Sequence, residues 1–312
     1  MTPSNPLSDE YGSFGSTPLE STAQLMDRIT SQLGSQLDRV SLDGTRRAAP
    51  GTASRTAPAP ALVVVGHGSR DPRALAAVTA LIERVRELRP GLTVRLGHIE
   101  LNEPLLTDTL AAATGSAVLV PLLLGRGHHV KHDIPEAAAG AAHLGTRVAA
   151  PLGPHPLLVD VLHDRLVDAG LPTRLGRAGR RTCAVILAAA GSRDPESATD
   201  TRRTADLLAE RIGVPVVPAY ASPTAACALS VPAAVRALAA RGRHHTAVAS
   251  YFTAPGRFAT QCADAADWIA SAPLGAHQAM ARLLLHRYDQ ARTGAMAVPA
   301  AARVPPRQLT SA

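Results

Sequence analysis

Histidines and one glutamate follow the apolar runs of this sequence. His67 follows the first run, ALVVVG, and Glu100 follows the second run. His128 and His129 follow the third. Neutral imidazoles bind borderline divalent metals and take up protons near neutral pH, and a carboxylate can complete or support such a site. These residue types predict an open metal or proton-handling site, whereas the simpler alternative is that His67 only caps the next helix.

The apolar runs are typical of strands buried on both faces of a parallel sheet. Helix-like segments separate them, which indicates an α/β fold with a helix-covered sheet. The predicted strands are 61–66, 93–99, 116–123 and 147–149, and the predicted helices are 72–88, 104–113, one starting near 133, and 156–169. Because parallel strands end at one edge, His67, Glu100 and the His128/His129 pair should converge there.

Two motifs recur late in the chain at nearly the same offset. GSRDP at 68–72 recurs at 191–195, and APLGPH at 150–155 recurs as APLGAH at 272–277. The offsets are 123 and 122 residues, far longer than a solenoid repeat, so we predict a domain duplication. The predicted organisation is a disordered tail at 1–60, a first domain at 61–171, a linker at 172–181, a second domain at 182–292 and a disordered tail at 293–312.

The two copies differ where chemistry would occur. His67 corresponds to Ala190, and His129 corresponds to Phe258. The segment around Glu100 corresponds to an uncharged Tyr-Ala-Ser segment. The first copy is therefore expected to carry the reactive groups, while the second retains the fold.

Composition narrows the function classes. The formal charge is +7, but the arginines are scattered and aromatic residues make up only 3% of the chain, which disfavours nucleic-acid binding. The three cysteines, Cys183, Cys227 and Cys262, show no metal-site spacing and favour reduced thiols. Neither a signal peptide nor a membrane-length apolar run is evident. We expect a cytoplasmic protein with no nucleic-acid or membrane partner.

Three segments together resemble a known family. VVVGHGSRDP, IELNEP and PLLLGRGHHVKHDIP are similar to the class II chelatases, which insert a divalent metal into sirohydrochlorin; the family comprises sirohydrochlorin ferrochelatases and anaerobic-type cobaltochelatases. The resemblance spans about 61–292 and implies two chelatase-like domains facing each other across a cleft. It implies that His67 and His129 bind metal and act in catalysis, with Glu100 as the nearby carboxylate. His128 is the second choice for His129.

The resemblance also implies the partners of the site. Divalent metal would be a substrate, with no tightly bound cofactor, and the polycarboxylated sirohydrochlorin would need cationic anchors. Since the duplication supplies both cleft walls, a monomer is plausible. Ser69 and Ser192 are expected to cap the following helices. The candidate substrate-binding residues are Arg70, Ser69, Arg126, Lys131, Arg193 and Arg257.

Several alternatives remain open from the sequence. Fe²⁺ insertion, which would yield sirohaem, is favoured over Co²⁺ insertion for cobalamin, although the ligand types fit both metals. A non-catalytic metal or tetrapyrrole carrier would have the same residues. A phosphatase with a His67 nucleophile is disfavoured because Gly66 stands where histidine phosphatases have arginine. His129 and His132 could instead form a small surface metal site, but Asp133-Ile134-Pro135 predicts a helix that starts after this pair.

Overall fold

Two four-stranded sheets, one in each half of the chain, form the framework of the fold. A computed structural model describes residues 59–294, and the predicted tails lie outside this part except for 59–60 and 293–294. The strands are β1 (Ala61–Gly66), β2 (Val94–His98), β3 (Ser116–Pro121), β4 (Gly145–Val148), β5 (Cys183–Ala189), β6 (Val216–Tyr220), β7 (His245–Ser250) and β8 (Ile269–Ala270). Their orders are β2-β1-β3-β4 and β6-β5-β7-β8, and every neighbouring pair is parallel. This confirms the predicted pair of parallel sheets.

Helices cover both faces of each sheet. They are α1 (Pro72–Leu88), α2 (Leu106–Ala111), α3 (Ile134–Gly140), α4 (Pro156–Asp168), α5 (Arg177–Thr182), α6 (Pro195–Ile212), α7 (Val231–Ala239), α8 (Arg257–Ala263) and α9 (Gln278–Thr293). Because successive side chains of a strand point to opposite faces, Leu62 and Val64 of β1 enter one core while Val63 and Val65 enter another. None of the helices in residues 59–294 has both the length and the apolar character needed to cross a membrane.

The last helix of each half packs against the sheet of the other half. Helix α4 contacts α6 and β7, and helix α9 contacts α1, β3 and β4. Arg165 of α4 donates a hydrogen bond to the Leu274 carbonyl at 3.1 Å, and Arg287 of α9 donates one to the Leu152 carbonyl at 3.1 Å. One of the apolar cores, the one that contains Leu62 and Val64, consequently runs through both halves, and each sheet depends on the other half for part of its cover.

The predicted boundaries agree with the structure to within two residues for the four strands of the first half and for α1, α2 and α4. Two segments differ. The predicted linker contains the short helix α5, since Arg is a good helix former. A π-helical turn spans His129–Asp133 and continues into α3. The prediction that this helix begins after His129 and His132 is therefore wrong.

The predicted serine caps are also wrong. Asp71 caps α1 by accepting a hydrogen bond from the Arg73 backbone N–H at 2.9 Å, and Asp194 caps α6 in the same way. Both helices begin with proline, so the residue just before that proline is the cap. Ser69 and Ser192 instead accept hydrogen bonds from the backbone N–H groups of these aspartates, at 3.1 Å each.

Candidate functional site

His67 and Glu100 lie together at the carboxyl edge of the first sheet. The Glu100 backbone N–H donates to the His67 carbonyl at 3.0 Å, which extends the β1–β2 pairing beyond the strands. This backbone contact brings the two side chains together, so that His67 Nδ1 lies 3.5 Å from Glu100 Oε1. Gly68 permits this approach: its φ is +103°, and a Cβ there would lie 1.8 Å from the Glu100 carbonyl oxygen. The predicted convergence of these two groups is therefore present.

His129 reaches the same point from the π-helical turn after β3. Its ring centroid lies 4.7 Å from that of His67, with the two ring planes nearly perpendicular. Its Nδ1 forms a hydrogen bond with Asp133 Oδ2, which fixes the ring and directs Nε2 away from the carboxylate. Asp133 was not among the predicted site residues. Its i,i+4 spacing from His129 would have revealed it if the helical turn had been recognised.

His128 lies beside this pair but is more exposed. Its ring centroid is 6.3 Å from that of His129 and 4.7 Å from that of His132. Its Nε2 lies 3.5 Å from Asp133 Oδ1. The structure thus brings His129, rather than His128, into contact with His67.

Arg126 and Lys131 flank the histidines but pair with carboxylates of the second half. Arg126 forms a bidentate ion pair with Asp200 and a further one with Glu196, at 2.7 Å for the closest atoms of each. Lys131 Nζ lies 2.6 Å from Asp194 and also contacts Glu196. The hydrogen bonds that Arg126 and Lys131 donate to these carboxylates raise the pKa of both cations. In this structure Arg126 and Lys131, both predicted substrate anchors, connect the histidine segment to the second half.

The other predicted anchors occupy the rims of two adjoining cavities. We call the first the histidine cavity; it has a volume of about 900 Å³ and is lined by His67, His128, His129 and His132 together with Arg126 and Arg193. We call the second the arginine cavity; it has a volume of about 1390 Å³ and is lined by Arg70, Ser69, Glu100 and Arg257. His67, Ala190, Phe252 and Phe258 line both.

Arg70, Arg193 and Arg257 are exposed at these rims. Among residues 59–294, no carboxylate lies within salt-bridge distance of any of the three. Arg257 also lies over the ring of Phe258, 5.1 Å from its centroid. Ser69 is held by its backbone N–H, which donates to Asn102 Oδ1 at 2.6 Å.

The second half repeats the backbone arrangement that brings His67 and Glu100 together, which we call the corner, but it lacks the imidazole. The Ser222 N–H donates to the Ala190 carbonyl at 2.9 Å, as Glu100 does to His67. Gly191 has a φ of +100°, and a Cβ there would lie 2.1 Å from the Ser222 carbonyl oxygen. The methyl group of Ala190 takes the place of an imidazole, so this position can neither bind metal nor transfer protons.

Within the described part of the chain, no group of three or more His, Cys, Asp or Glu side chains is arranged as a ready-made metal site. The site instead offers paired ligand atoms. His67 Nδ1 and Glu100 Oε1, 3.5 Å apart, have nearly the separation of two ligands on a tetrahedral metal with bonds of about 2.1 Å. The arrangement can bind a partly hydrated divalent ion, accept protons, or do both.

Comparisons with known proteins agree with this fold. The CbiX family model matches residues 61–169 and 184–291, one match in each half. Among curated proteins, the sirohydrochlorin ferrochelatase of Bacillus subtilis is 32% identical over 170 residues, covering 51% of this chain and 62% of that protein. The chloroplastic sirohydrochlorin ferrochelatase of Arabidopsis thaliana is 34% identical over 113 residues, covering 34% of this chain and 50% of that protein. The chain thus spans only about half to three-fifths of these relatives' lengths.

A cobaltochelatase is also similar in sequence, and two solved structures are similar in fold. The sirohydrochlorin cobaltochelatase of Methanococcus aeolicus is 36% identical over 80 residues, covering 24% of this chain and 56% of that protein. A structure of Bacillus subtilis SirB with Fe³⁺ matches with a TM-score of 0.61 at 23% identity, covering 76% of this chain and 97% of SirB. A structure of CbiX from denitrifying bacteria matches with a TM-score of 0.54 at 19% identity, covering 72% and 98%. Because the family model matches both halves at the positions where the motifs repeat, the chain belongs to the CbiX family of class II chelatases.

Proposed function

We propose that this chain inserts a divalent metal, with Fe²⁺ preferred, into sirohydrochlorin. The observation that carries the proposal is the edge-on approach of His67 and His129, 4.7 Å apart and each beside its own carboxylate. Insertion requires removal of water from the metal, its delivery to one face of the macrocycle, and removal of two pyrrole protons. Two imidazoles on one cavity wall suit all three tasks, because imidazole both binds such metals and accepts protons near neutral pH.

In this mechanism His67 and His129 hold the incoming ion and then accept the pyrrole protons. The two N–H bonds break as two metal–nitrogen bonds form, so the ion keeps its charge and two protons leave. Asp133 orients the His129 ring through its hydrogen bond with Nδ1, and Glu100 Oε1 lies 3.5 Å from His67 Nδ1, where it can take over a proton from that ring. Glu100 is exposed, which gives protons a route from His67 to solvent.

The macrocycle is proposed to occupy the arginine cavity with one face towards His67. Arg70 and Arg257 line this cavity and are exposed, so they are suited to bind its carboxylates, and Arg193 lies on the rim of the adjoining cavity. Phe252 and Phe258 supply apolar surface for a flat ring. Arg126 and Lys131 have the different role of holding the histidine segment in place through their ion pairs with the second half.

The relatives include enzymes named for iron insertion and enzymes named for cobalt insertion, so the preference for Fe²⁺ is the first part of the proposal to test. The ferrochelatase matches extend over 170 and 113 residues, and the matched cobaltochelatases include segments of 80 and 123 residues. Both ions accept the nitrogen and oxygen ligands at this site. The ratio of insertion rates for Fe²⁺ and Co²⁺ therefore decides between sirohaem and cobalamin precursors as the product.

The test is anaerobic absorbance spectroscopy of the purified chain with sirohydrochlorin and either Fe²⁺ or Co²⁺. We expect wild type to accelerate conversion over a protein-free control. His67→Ala and His129→Ala should each lose about 100-fold in rate while still binding the tetrapyrrole. His132→Ala should retain most of the rate at saturating metal, and the distant, exposed His244→Ala is the matched control. Tetrapyrrole binding without faster conversion for either metal would instead identify a carrier and end the proposal.

A further inference from the structure

A second pair of imidazoles lies outside the His67–His129 pair in the same cavity. The rings of His128 and His132 are 4.7 Å apart and inclined by 35°. The His128 side chain is 73% exposed, and His132 is also exposed. Both line the histidine cavity and are more exposed than His129, whose side chain is 34% exposed, so a hydrated ion entering on their side meets them first.

The spacing of ligand atoms at this outer pair suits a divalent ion. His128 Nε2 and Asp133 Oδ1 are 3.5 Å apart. Two ligands at about 2.1 Å from a tetrahedral metal lie about 3.4 Å apart, so these atoms form one edge of such a site. His132, one helical turn from His128, can add a second imidazole by rotation of its exposed side chain.

Asp133 connects the outer pair with the inner one. Its Oδ1 faces His128, while its Oδ2 forms a hydrogen bond with His129 Nδ1. The ring centroids of His128 and His129 are 6.3 Å apart, and those of His129 and His67 are 4.7 Å apart. The ion would therefore move in short steps, exchanging one imidazole for the next beside a common carboxylate.

We propose that His128, His132 and Asp133 form an outer loading site for a hydrated divalent metal ion, which then passes to His129 and His67. The inference rests on the proposed function, because loading matters only if metal is then inserted. Each transfer only exchanges ligands (water, imidazole or the Asp133 carboxylate), so the ion stays divalent and no oxidant or reductant is needed. Such a site matters at low metal concentration, because an ion bound there raises the local concentration of metal beside His129.

The first measurement is binding of Co²⁺ alone to the full-length protein, by equilibrium dialysis and visible absorbance. The double variant His128→Ala/His132→Ala should bind one Co²⁺ fewer per chain than wild type. The inner variant His67→Ala/His129→Ala should also bind one fewer, with the outer ion retained. The matched control is His244→Ala/His245→Ala, which removes two adjacent exposed imidazoles from the second half and should bind as many ions as wild type.

The second measurement is the insertion rate as a function of metal concentration. The outer double variant should need about tenfold more metal for half-maximal rate, with a much smaller change in the rate at saturating metal. Loss of rate at all metal concentrations would show that these residues act in the chemical step and would overturn the loading role. Unchanged Co²⁺ stoichiometry together with unchanged half-saturation would overturn the site itself. If wild type binds both ions but inserts neither, the proposed function fails while the outer metal site stands.

Discussion

The second half of the chain holds the segment that carries the histidines in place, and substitution of Asp200 tests this bracing role. Asp200 lies on α6 with only 5% of its side chain exposed. It accepts three hydrogen bonds from Arg126: from the backbone N–H at 2.9 Å, from Nε at 3.0 Å and from Nη2 at 2.7 Å. Arg126 is only two residues before His128, so this contact fixes the chain directly before the histidines.

The free energy of unfolding should fall by about 2 kcal/mol in Asp200→Ala. Loss of the acceptor for the Arg126 backbone N–H costs about 1 kcal/mol. The ion pair adds about 1 kcal/mol, since the Arg126 side chain is 42% exposed and solvent screens it. For a chain of this size, with a urea dependence of about 3 kcal/mol per molar, the unfolding midpoint should drop by about 0.7 M.

The same substitution should slow metal insertion by about tenfold at temperatures where the variant remains folded, because displacement of His129 relative to His67 disturbs the reacting geometry. Urea unfolding followed by circular dichroism and the anaerobic absorbance assay measure the two effects. Asp206→Ala, an exposed aspartate on the same helix, is the matched control. If Asp200→Ala matches that control in both midpoint and rate, the bracing role is wrong.

Two further predictions concern the corner glycine and a helix cap. Gly68→Ala should prevent the His67–Glu100 approach and abolish insertion, because its Cβ would overlap the Glu100 carbonyl oxygen; Gly115→Ala, with φ +78° but open space around its Cβ, should cost only about 1 kcal/mol in thermal unfolding. Burial, followed by Arg287 and His286, lowers the pKa of His155 to about 4, and its Nδ1 caps α4 by accepting the Leu157 N–H. Because the unfolded chain binds a proton at His155 more readily than the folded chain does, the contribution of neutral His155 to the free energy of unfolding should be fully present above about pH 6.5. It should be lost progressively as the pH falls towards 4. His155→Asn retains a capping side chain and should flatten the pH dependence of the unfolding midpoint over that range, whereas an unchanged slope would exclude His155 as its source.

The corner that holds His67 and Glu100 could be predicted from the sequence for a simple reason. Both residues follow strands of one parallel sheet, and the strand pattern alone places such positions at one edge. Asp133 was missed because Pro135 marks a helix start in the sequence, while a π-helical turn precedes it in the structure. That turn places residues 129 and 133 side by side, and a prediction that starts the helix later cannot pair them.

The roles of Arg126 and Lys131 could not be predicted because they depend on how the two halves meet. Each cation lies beside the histidines in sequence, and a cation beside a metal site suggests a substrate anchor. Their partners, Asp194, Glu196 and Asp200, begin a helix about 70 residues later. Neither hydropathy nor spacing indicates that this helix end lies opposite the histidine segment.

The second half lacks the imidazoles of the first half but still contacts the segment that carries them. It retains the close approach at Gly191 that builds the corner, yet Ala190 and Phe258 replace the imidazoles there. Insertion delivers one ion through one face of a macrocycle, so a second histidine pair on the opposite wall would compete for the metal without advancing the reaction. A small methyl group and an apolar ring leave room for a flat ligand, while the acidic start of α6 holds the histidine segment opposite. Under the proposed function, duplication followed by divergence has therefore produced one reactive wall and one wall that shapes the cavity and fixes the reactive one.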